Sequence, residues 1–404
     1  MKVMQINCVY KTGSTGKIMY DIHTELLKRG IDSVICYGRG ERIDEENVYK
    51  TSSEFLAKFN NVKSRFIGMP YNGSFFATNK LIHIIKKEKP DVVHLHCING
   101  YFVNIYRLVE FLKKNKITTV VTHHAEFFFT GNCGHSYECE KWKMGCGNCP
   151  SAKRAVNSYY FDFSKKNFKM MKKAFAGFSN ICSVSVSKWL EDRSYQSPIF
   201  KNIPHTTILN GLDADIFCPQ DGALELKEKL GIPADKKVIL HVTASFNSEV
   251  KGGKYVIELA KRLGDRAVIV VVGNRETPID LPKNIIAVGR VENQKELAKY
   301  YTMADLSVVT GKRETFSMPV AESLCCGTPA VGFFAGGPEA IAINEYTEFV
   351  QFGDIDALNK IVIKWIDKKP TFEGVSQAAI LKYSKEKMAQ EYIDIYYKLQ
   401  KGKD

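Results

Sequence analysis

Short β-rich runs alternate with amphipathic helical stretches along this chain, and the alternation runs through twice. The first series is KVMQINCV (2–9), SVICY (33–37), DVVHLH (91–96), TTVVTH (118–123) and ICSVSV (181–186). The second is KVILHVT (237–243), AVIVVVG (267–273), NIIAVG (284–289), LSVVTG (306–311) and PAVGF (329–333), spaced by helical stretches such as KYVIELAKRL and QKELAKYYTMA. Parallel strands reach one another only through crossovers that cover both sheet faces, so two doubly wound α/β domains are expected. A length of 404 residues, 45% of them hydrophobic, provides for two cores of that kind. The expected seam is LNGLDADIFCPQDG (209–222), where turn formers and a proline interrupt both patterns. This divides the chain into 1–208, with a cysteine-rich insertion at about 130–150, then 209–383, then an amphipathic helix at 384–404 that packs back on the N-terminal domain.

No apolar run approaches the ~18 residues of a membrane span. The N-terminus lacks the basic, apolar, small-residue order of a cleaved signal peptide, so the chain is expected in the cytoplasm. Eleven cysteines, an odd number, then point to buried thiols or metal ligands rather than a disulfide framework. A net charge of +13 suits nucleic acid, anionic lipid or phosphorylated substrates alike.

Ligands of parallel sheets bind beyond the carboxyl ends of the strands. After the first strand, Lys11, Thr12, Gly13, Ser14, Thr15 and Gly16 lead into a helix whose N-terminal amides could face a phosphate; a tight strand-to-helix turn is the competing reading. It is not a P-loop, because Gly16-Lys17 is followed by Ile18. After LSVVTG, Ser317 as N-cap and Pro319 in the first turn predict a helix start, and Gly327 its end. The amides near Phe316, Ser317 and Met318 would form an anion site. Glu314 falls before that helix and Glu322 inside it, so two carboxylates can flank one polyhydroxylated ligand. A capped helix with two surface acids is the plainer alternative.

These residues carry a resemblance. Glu314 and Glu322 in E-x7-E followed by G-T-P, the segment Ile208 to Asp213 with Phe217 and Pro219, and Lys251-Gly252 after a strand resemble family-4 glycosyltransferases of the GT-B fold, over nearly the whole chain. The resemblance implies two Rossmann-like domains facing across a cleft, a nucleotide-sugar donor, an acceptor held by the N-terminal domain, retention of configuration and no catalytic metal. Glu314 then corresponds to the acid near the donor sugar, Glu322 to the acid on the ribose and Lys251 to the base on the diphosphate. His124 corresponds to the histidine that approaches the sugar, Gly13 to Gly16 to the glycine loop, and Gly336, Gly337, Pro338 and Glu339 to the loop behind the donor. Two positions depart from the pattern. No arginine precedes Lys251 within Ser245 to Val250, which leaves Lys251, amides and Lys254 for the phosphates, and the acid common after the histidine is Ala125. Asp213-Ala214-Asp215 resembles a metal-binding D-x-D but sits in the interdomain segment, where a turn is expected.

Cys133, Cys139, Cys146 and Cys149 lie within 17 residues, and the terminal C-x2-C has zinc spacing. A structural zinc site is expected, with reduced core thiols or disulfides as alternatives. Similar insertions mark the branch of the family that builds capsular and colanic-acid-like polysaccharides. Residues 151–175 hold seven basic side chains (Lys153, Arg154, Lys165, Lys166, Lys169, Lys172, Lys173) among Tyr159, Tyr160, Phe161, Phe163, Phe168 and Phe175. A second stretch joins Phe55, Lys58, Phe59, Lys63, Arg65 and Phe66. Either these faces dock on the inner leaflet of the cell membrane, or the aromatics are core and the lysines a solvated face. The resemblance thus implies a hexosyl transfer from a nucleotide sugar to a saccharide or lipid-linked saccharide. A nucleotide-sugar epimerase of the same fold is the alternative, and a nucleic-acid-binding protein, for which no motif speaks, a remote one.

Overall fold

The computed structural model describes residues 1–153, 158–273, 281–368 and 372–401. The chain forms two compact units, Met1–Asn210 together with Met388 onward, and Gly211–Lys387.

The first unit is built on a parallel sheet of seven strands: β1 (Lys2–Asn7), β2 (Asp32–Tyr37), β3 (Val48–Lys50), β4 (Val92–Leu95), β5 (Thr118–His123), β6 (Ile181–Ser185) and β7 (His205–Thr207), in the order β3-β2-β1-β4-β5-β6-β7. Strands β4, β5 and β6 are buried along their whole lengths, polar residues included, as strands covered on both sheet faces are. Val3, Val92, Val120 and Val184 pack with Ile18, Ile22 and Leu26 of the helix Gly13–Lys28. Met388, Tyr392, Ile393 and Tyr396, from the helix Lys385–Lys401, complete the same core.

The second unit holds a six-stranded parallel sheet: β8 (Lys237–Val242), β9 (Ala267–Val272), β10 (Ile285–Val288), β11 (Leu306–Val309), β12 (Ala330–Phe333) and β13 (Thr347–Val350), ordered β10-β9-β8-β11-β12-β13. Its core joins Ile239, Ile269, Val308 and Val331 to Val256, Leu259 and Trp365 from flanking helices, each such side chain contributing about 1.5–3 kcal/mol by burial. In both sheets the strand order reverses once, between β1 and β4 and between β8 and β11. Those reversals leave a crevice at the carboxyl ends of the strands.

Asp213-Ala214-Asp215 forms a turn: the Asp213 carboxylate accepts from the Asp215 amide at 3.0 Å and pairs with Lys385 at 2.5 Å. The 151–175 stretch divides. Phe168 and Phe175 are core residues of the helix Ser164–Phe175, whose lysines face solvent, while Tyr159, Tyr160 and Phe161 are exposed; Arg154 lies outside the described residues.

Candidate functional site

In the second unit, three loops meet beyond the reversal between β8 and β11. Lys251 follows β8, residues 310–317 follow β11 and residues 334–337 follow β12. Main-chain bonds clasp the loops together. The Lys312 amide donates to the Val250 carbonyl at 2.9 Å and the Thr310 hydroxyl to the Lys251 carbonyl at 3.1 Å. Glu314 is held on both sides, its amide donating to the Ala335 carbonyl (3.0 Å) and its carbonyl accepting from the Gly337 amide (2.8 Å). Two glycines allow this approach. Gly252 has φ +74°, and a Cβ there would lie 2.1 Å from the Thr310 carbonyl oxygen; one on Gly337 would lie 2.4 Å from the Phe316 nitrogen. Glu339 closes the loop, its carboxylate accepting from the Gly336 amide at 2.7 Å and the Ala335 amide at 3.0 Å.

This scaffold brings Lys251 Nζ to 2.7 Å from Glu314 Oε1. The side chains are 41% and 28% exposed, and an ion pair so wetted is worth only about 0–1 kcal/mol. An anion and a hydroxylated ligand can therefore divide the two partners at little cost. The helix Met318–Cys325 starts beside Glu314, with Ser317 at its N-cap, but Ser317 sits at φ 83° and its hydroxyl makes no capping bond. The capping chemistry expected from the sequence is thus replaced by a strained turn that the clasped loops hold in place. Glu322, inside this helix, accepts from the buried Tyr301 hydroxyl at 2.8 Å, which fixes the carboxylate from below. Phe316 is buried with its ring edge-on to Tyr383, so its side chain belongs to the core. The Lys254 ammonium lies 5.0 Å from the Tyr255 ring centroid.

Gly13 and Gly16 belong to the first unit, where they open the helix after β1. Gly13 and Lys11 both take left-handed conformations, at φ 63° and 61°. His124 follows β5 in the same unit and belongs to a buried chain of hydrogen bonds. Its Nε2 lies 3.1 Å from His96 Nδ1, and His96 Nε2 lies 3.1 Å from Gln5 Oε1. The Gln5 amide nitrogen faces the Met19 carbonyl at 3.4 Å, which sets its oxygen toward His96. Burial keeps both imidazoles neutral, pushing His124 down to about 3 and His96 well below the usual histidine range. A neutral imidazole has one N–H. Because Gln5 Oε1 only accepts, His96 must donate from Nε2, its bare Nδ1 then accepts from His124 Nε2–H, and His124 Nδ1 is left as an acceptor. Gln5 and His96 thus supply the orientation that an acid at Ala125 does not. His123, next to it, turns into the core among Phe128, Phe129 and Phe200. Gln5, His96 and Tyr301 were not singled out by sequence; a polar residue within the apolar run of a strand, or just at its end, was the available signal for the first two.

The acid that does follow, Glu126, is buried against Arg193 at 2.7 Å. Arg193 also donates to the Ser136 hydroxyl at 2.6 Å and stacks over Trp142 and Trp189, anchoring the cysteine-rich insertion to the sheet. Arg193 also pairs with Glu140 at 3.2 Å, so it is the loss of Arg193 that would leave a buried charge, that of Glu126, uncompensated, at a cost of about 3–5 kcal/mol. Cys133, Cys139, Cys146 and Cys149 line one cavity of about 20 Å³. Burial pushes the Cys133 and Cys146 thiols up to about 12, and the other three thiols add to the effect at Cys146. All four are free thiols. Among the described residues, no three histidine, cysteine or acidic side chains converge closely enough to hold a metal ion.

The family profile "Glycosyltransferase Family 4" matches residues 15–215, and "Glycosyl transferases group 1" matches 223–383. The putative colanic acid biosynthesis glycosyl transferase WcaC of Escherichia coli K12 is 22% identical over 99% of this chain and 100% of that protein. The N-acetyl-alpha-D-glucosaminyl L-malate synthase of Bacillus anthracis is 22% identical over 97% of this chain and 96% of its own. Among solved structures, sucrose-phosphate synthase from Thermosynechococcus elongatus superposes with a TM-score of 0.70 over 99% of both chains at 15% identity. Anabaena HepE in complex with UDP-glucose does so at 0.68 over 98% of this chain and 100% of that one, at 14% identity. With its two sheets, and two profiles that between them take in both units, the chain belongs to the family-4 glycosyltransferases of the GT-B fold.

Proposed function

We propose that this glycosyltransferase moves a sugar, with retention of configuration, from a nucleotide-sugar donor to a lipid-linked saccharide in surface polysaccharide synthesis. The carrying observation is the exchangeable Lys251–Glu314 pair at the reversal point of the second sheet. As the glycosidic bond breaks, negative charge grows on the leaving diphosphate. Lys251 and the first-turn amides of the helix Met318–Cys325 stabilise it, with no catalytic metal called for. Glu314, released from Lys251, takes sugar hydroxyls, and Glu322 takes the ribose. The UDP-glucose complex of the HepE neighbour and the name of the WcaC relative support the donor class and the pathway class. Among the described residues no helix is long and apolar enough to cross a membrane; the reading has the protein reach a lipid-linked acceptor peripherally, from the cytoplasmic side. A panel of nucleotide sugars screened by thermal unfolding tests the reading: one donor should raise the melting temperature, by about 2.7 kcal/mol of stabilisation at a hundred times its dissociation constant. Consumption of that donor should require an acceptor. Conversion of the donor alone would instead make the protein an epimerase, and absence of any stabilising nucleotide sugar would remove the reading.

Cys133, Cys139, Cys146 and Cys149, which line one cavity, are the thiolates that would hold a structural zinc, and the metal would supply the cross-link that ties the insertion together. Zinc would lower the raised thiol values by binding the thiolates. Elemental analysis of reduced protein should find about one zinc per chain, and a Cys146→Ser, Cys149→Ser double variant should lose both the metal and melting temperature. Metal-free wild-type protein of undiminished stability would end this proposal.

A further inference from the structure

The helix Glu54–Ile67 is patterned inside out. Its buried positions are Ala57 and Ser64, while Phe55 (76% exposed), Phe59 (58%), Val62 (54%) and Phe66 (50%) form a stripe facing solvent at helical spacing. Leu56, Ile67, Phe75 and Phe76 extend the stripe. Tyr159, Tyr160 and Phe161 continue it: Phe66 stacks on Tyr160 at 5.9 Å, and the Arg65 guanidinium donates to the Tyr159 hydroxyl at 3.1 Å. Among the described residues, eleven of the nineteen exposed large hydrophobic side chains therefore lie on this one face. Patches of this extent mark binding surfaces.

Charge identifies the occupant. Within residues 54–80 the basic residues are Lys58, Lys63, Arg65 and Lys80, and the lone acid, Glu54, is neutralised by Arg39 at 2.8 Å. Aromatic side chains flanked by lysines are the chemistry of a helix lying in the headgroup region of an anionic leaflet. A pocket of about 250 Å³ opens beside the face, lined by Pro70, Tyr71, Asn99, Tyr101, Asn132 and His135. The Asn60 amide donates to the Ser74 hydroxyl at 2.7 Å and Ser74 to the Tyr101 carbonyl at 2.5 Å, tying the helix to the pocket rim. We infer that the outward face of Glu54–Ile67, with Phe75, Phe76 and residues 159–161, docks on an anionic membrane and brings this polar, aromatic pocket to the level of a saccharide head group. The inference deepens the lipid-linked part of the reading above, and vesicle binding, measured with neither donor nor acceptor present, separates its failure from that of the transfer chemistry.

The full chain should sediment with phosphatidylcholine vesicles containing phosphatidylglycerol, not with phosphatidylcholine alone, and should be released as salt rises. A Phe55→Ser, Phe59→Ser, Phe66→Ser variant, changed only at exposed positions, should keep its circular dichroism and lose vesicle binding. Lys58→Glu with Lys63→Glu should weaken binding by more than about twenty-five-fold, at roughly fivefold for each positive charge lost and further for each negative charge gained. Lys172→Glu with Lys173→Glu, on the solvated face of the helix Ser164–Phe175, should bind as wild type. No binding to anionic vesicles, or binding untouched by the Phe→Ser changes, would overturn the inference. So would a dimer that those changes disperse, since the face would then belong to a second copy.

Discussion

Lys251→Ala is expected to lower turnover by about 10²–10³-fold even at saturating donor, the loss that follows removal of one preorganised stabiliser of developing negative charge. Glu314→Gln should lower turnover by about a hundredfold while leaving donor affinity close to wild type, because an amide fills the same space but holds sugar hydroxyls less strongly as the ring becomes cationic. The two effects should not add. Each residue is the other's counter-ion at 2.7 Å in the absence of ligand, so each single change also alters what its partner does. Glu322→Ala should behave differently. Its carboxylate is already fixed by Tyr301 and is assigned to the nucleotide, so the donor's Michaelis constant should rise about tenfold with turnover little changed. Near-normal turnover in both Lys251→Ala and Glu314→Gln, with the true donor and acceptor, would remove this site from the chemistry.

What sequence could and could not supply follows from where the information resides. Inner strands such as KVILHV and AVIVVV announce themselves because both faces are buried. Three of the four edge strands, β3, β7 and β13, passed unnoticed: they are three or four residues long, partly exposed, and need only one neighbour. The acids Glu314 and Glu322 were legible because the helix between them is local. The contact of Glu314 with Lys251 was not, since it spans 63 residues and exists only because β11 lies against β8. For the basic and aromatic residues at 151–175 the sequence leaves two readings, a docking face or core aromatics under solvated lysines, and the helix Ser164–Phe175 takes the second, burying Phe168 and Phe175 and exposing only its lysines. Composition alone does not tell which side of a helix an aromatic takes; at Glu54–Ile67 the answer is the solvent side.

The buried chain from Gln5 through His96 to His124 carries the second large effect. If His124 Nδ1 accepts a sugar hydroxyl during transfer, His124→Ala should slow turnover by about a hundredfold. Binding of free nucleotide should be nearly unchanged, because the nucleotide is assigned to residues of the second unit. The histidine is neutral throughout the working range, its value pushed down to about 3 by burial. Its titration should therefore leave no limb in the pH–rate profile between pH 5 and 8. Stability has the opposite sensitivity: the unfolded chain takes the proton near pH 6.5 and the folded one only near 3, so this contribution is lost as pH falls through that window. Gln5→Leu separates orientation from mere packing. Without the Gln5 acceptor, His96 is free to carry its proton on Nδ1, and His124 then shifts its own from Nε2 to Nδ1, which turns that atom from an acceptor into a donor. Nitrogen-15 spectra should show His124 protonated at Nε2 in the wild type and at both positions, in exchange, in Gln5→Leu, with turnover falling about tenfold and donor affinity retained. A His124 found protonated at Nδ1 in the wild type would refute the assignment, whatever the activities of the variants.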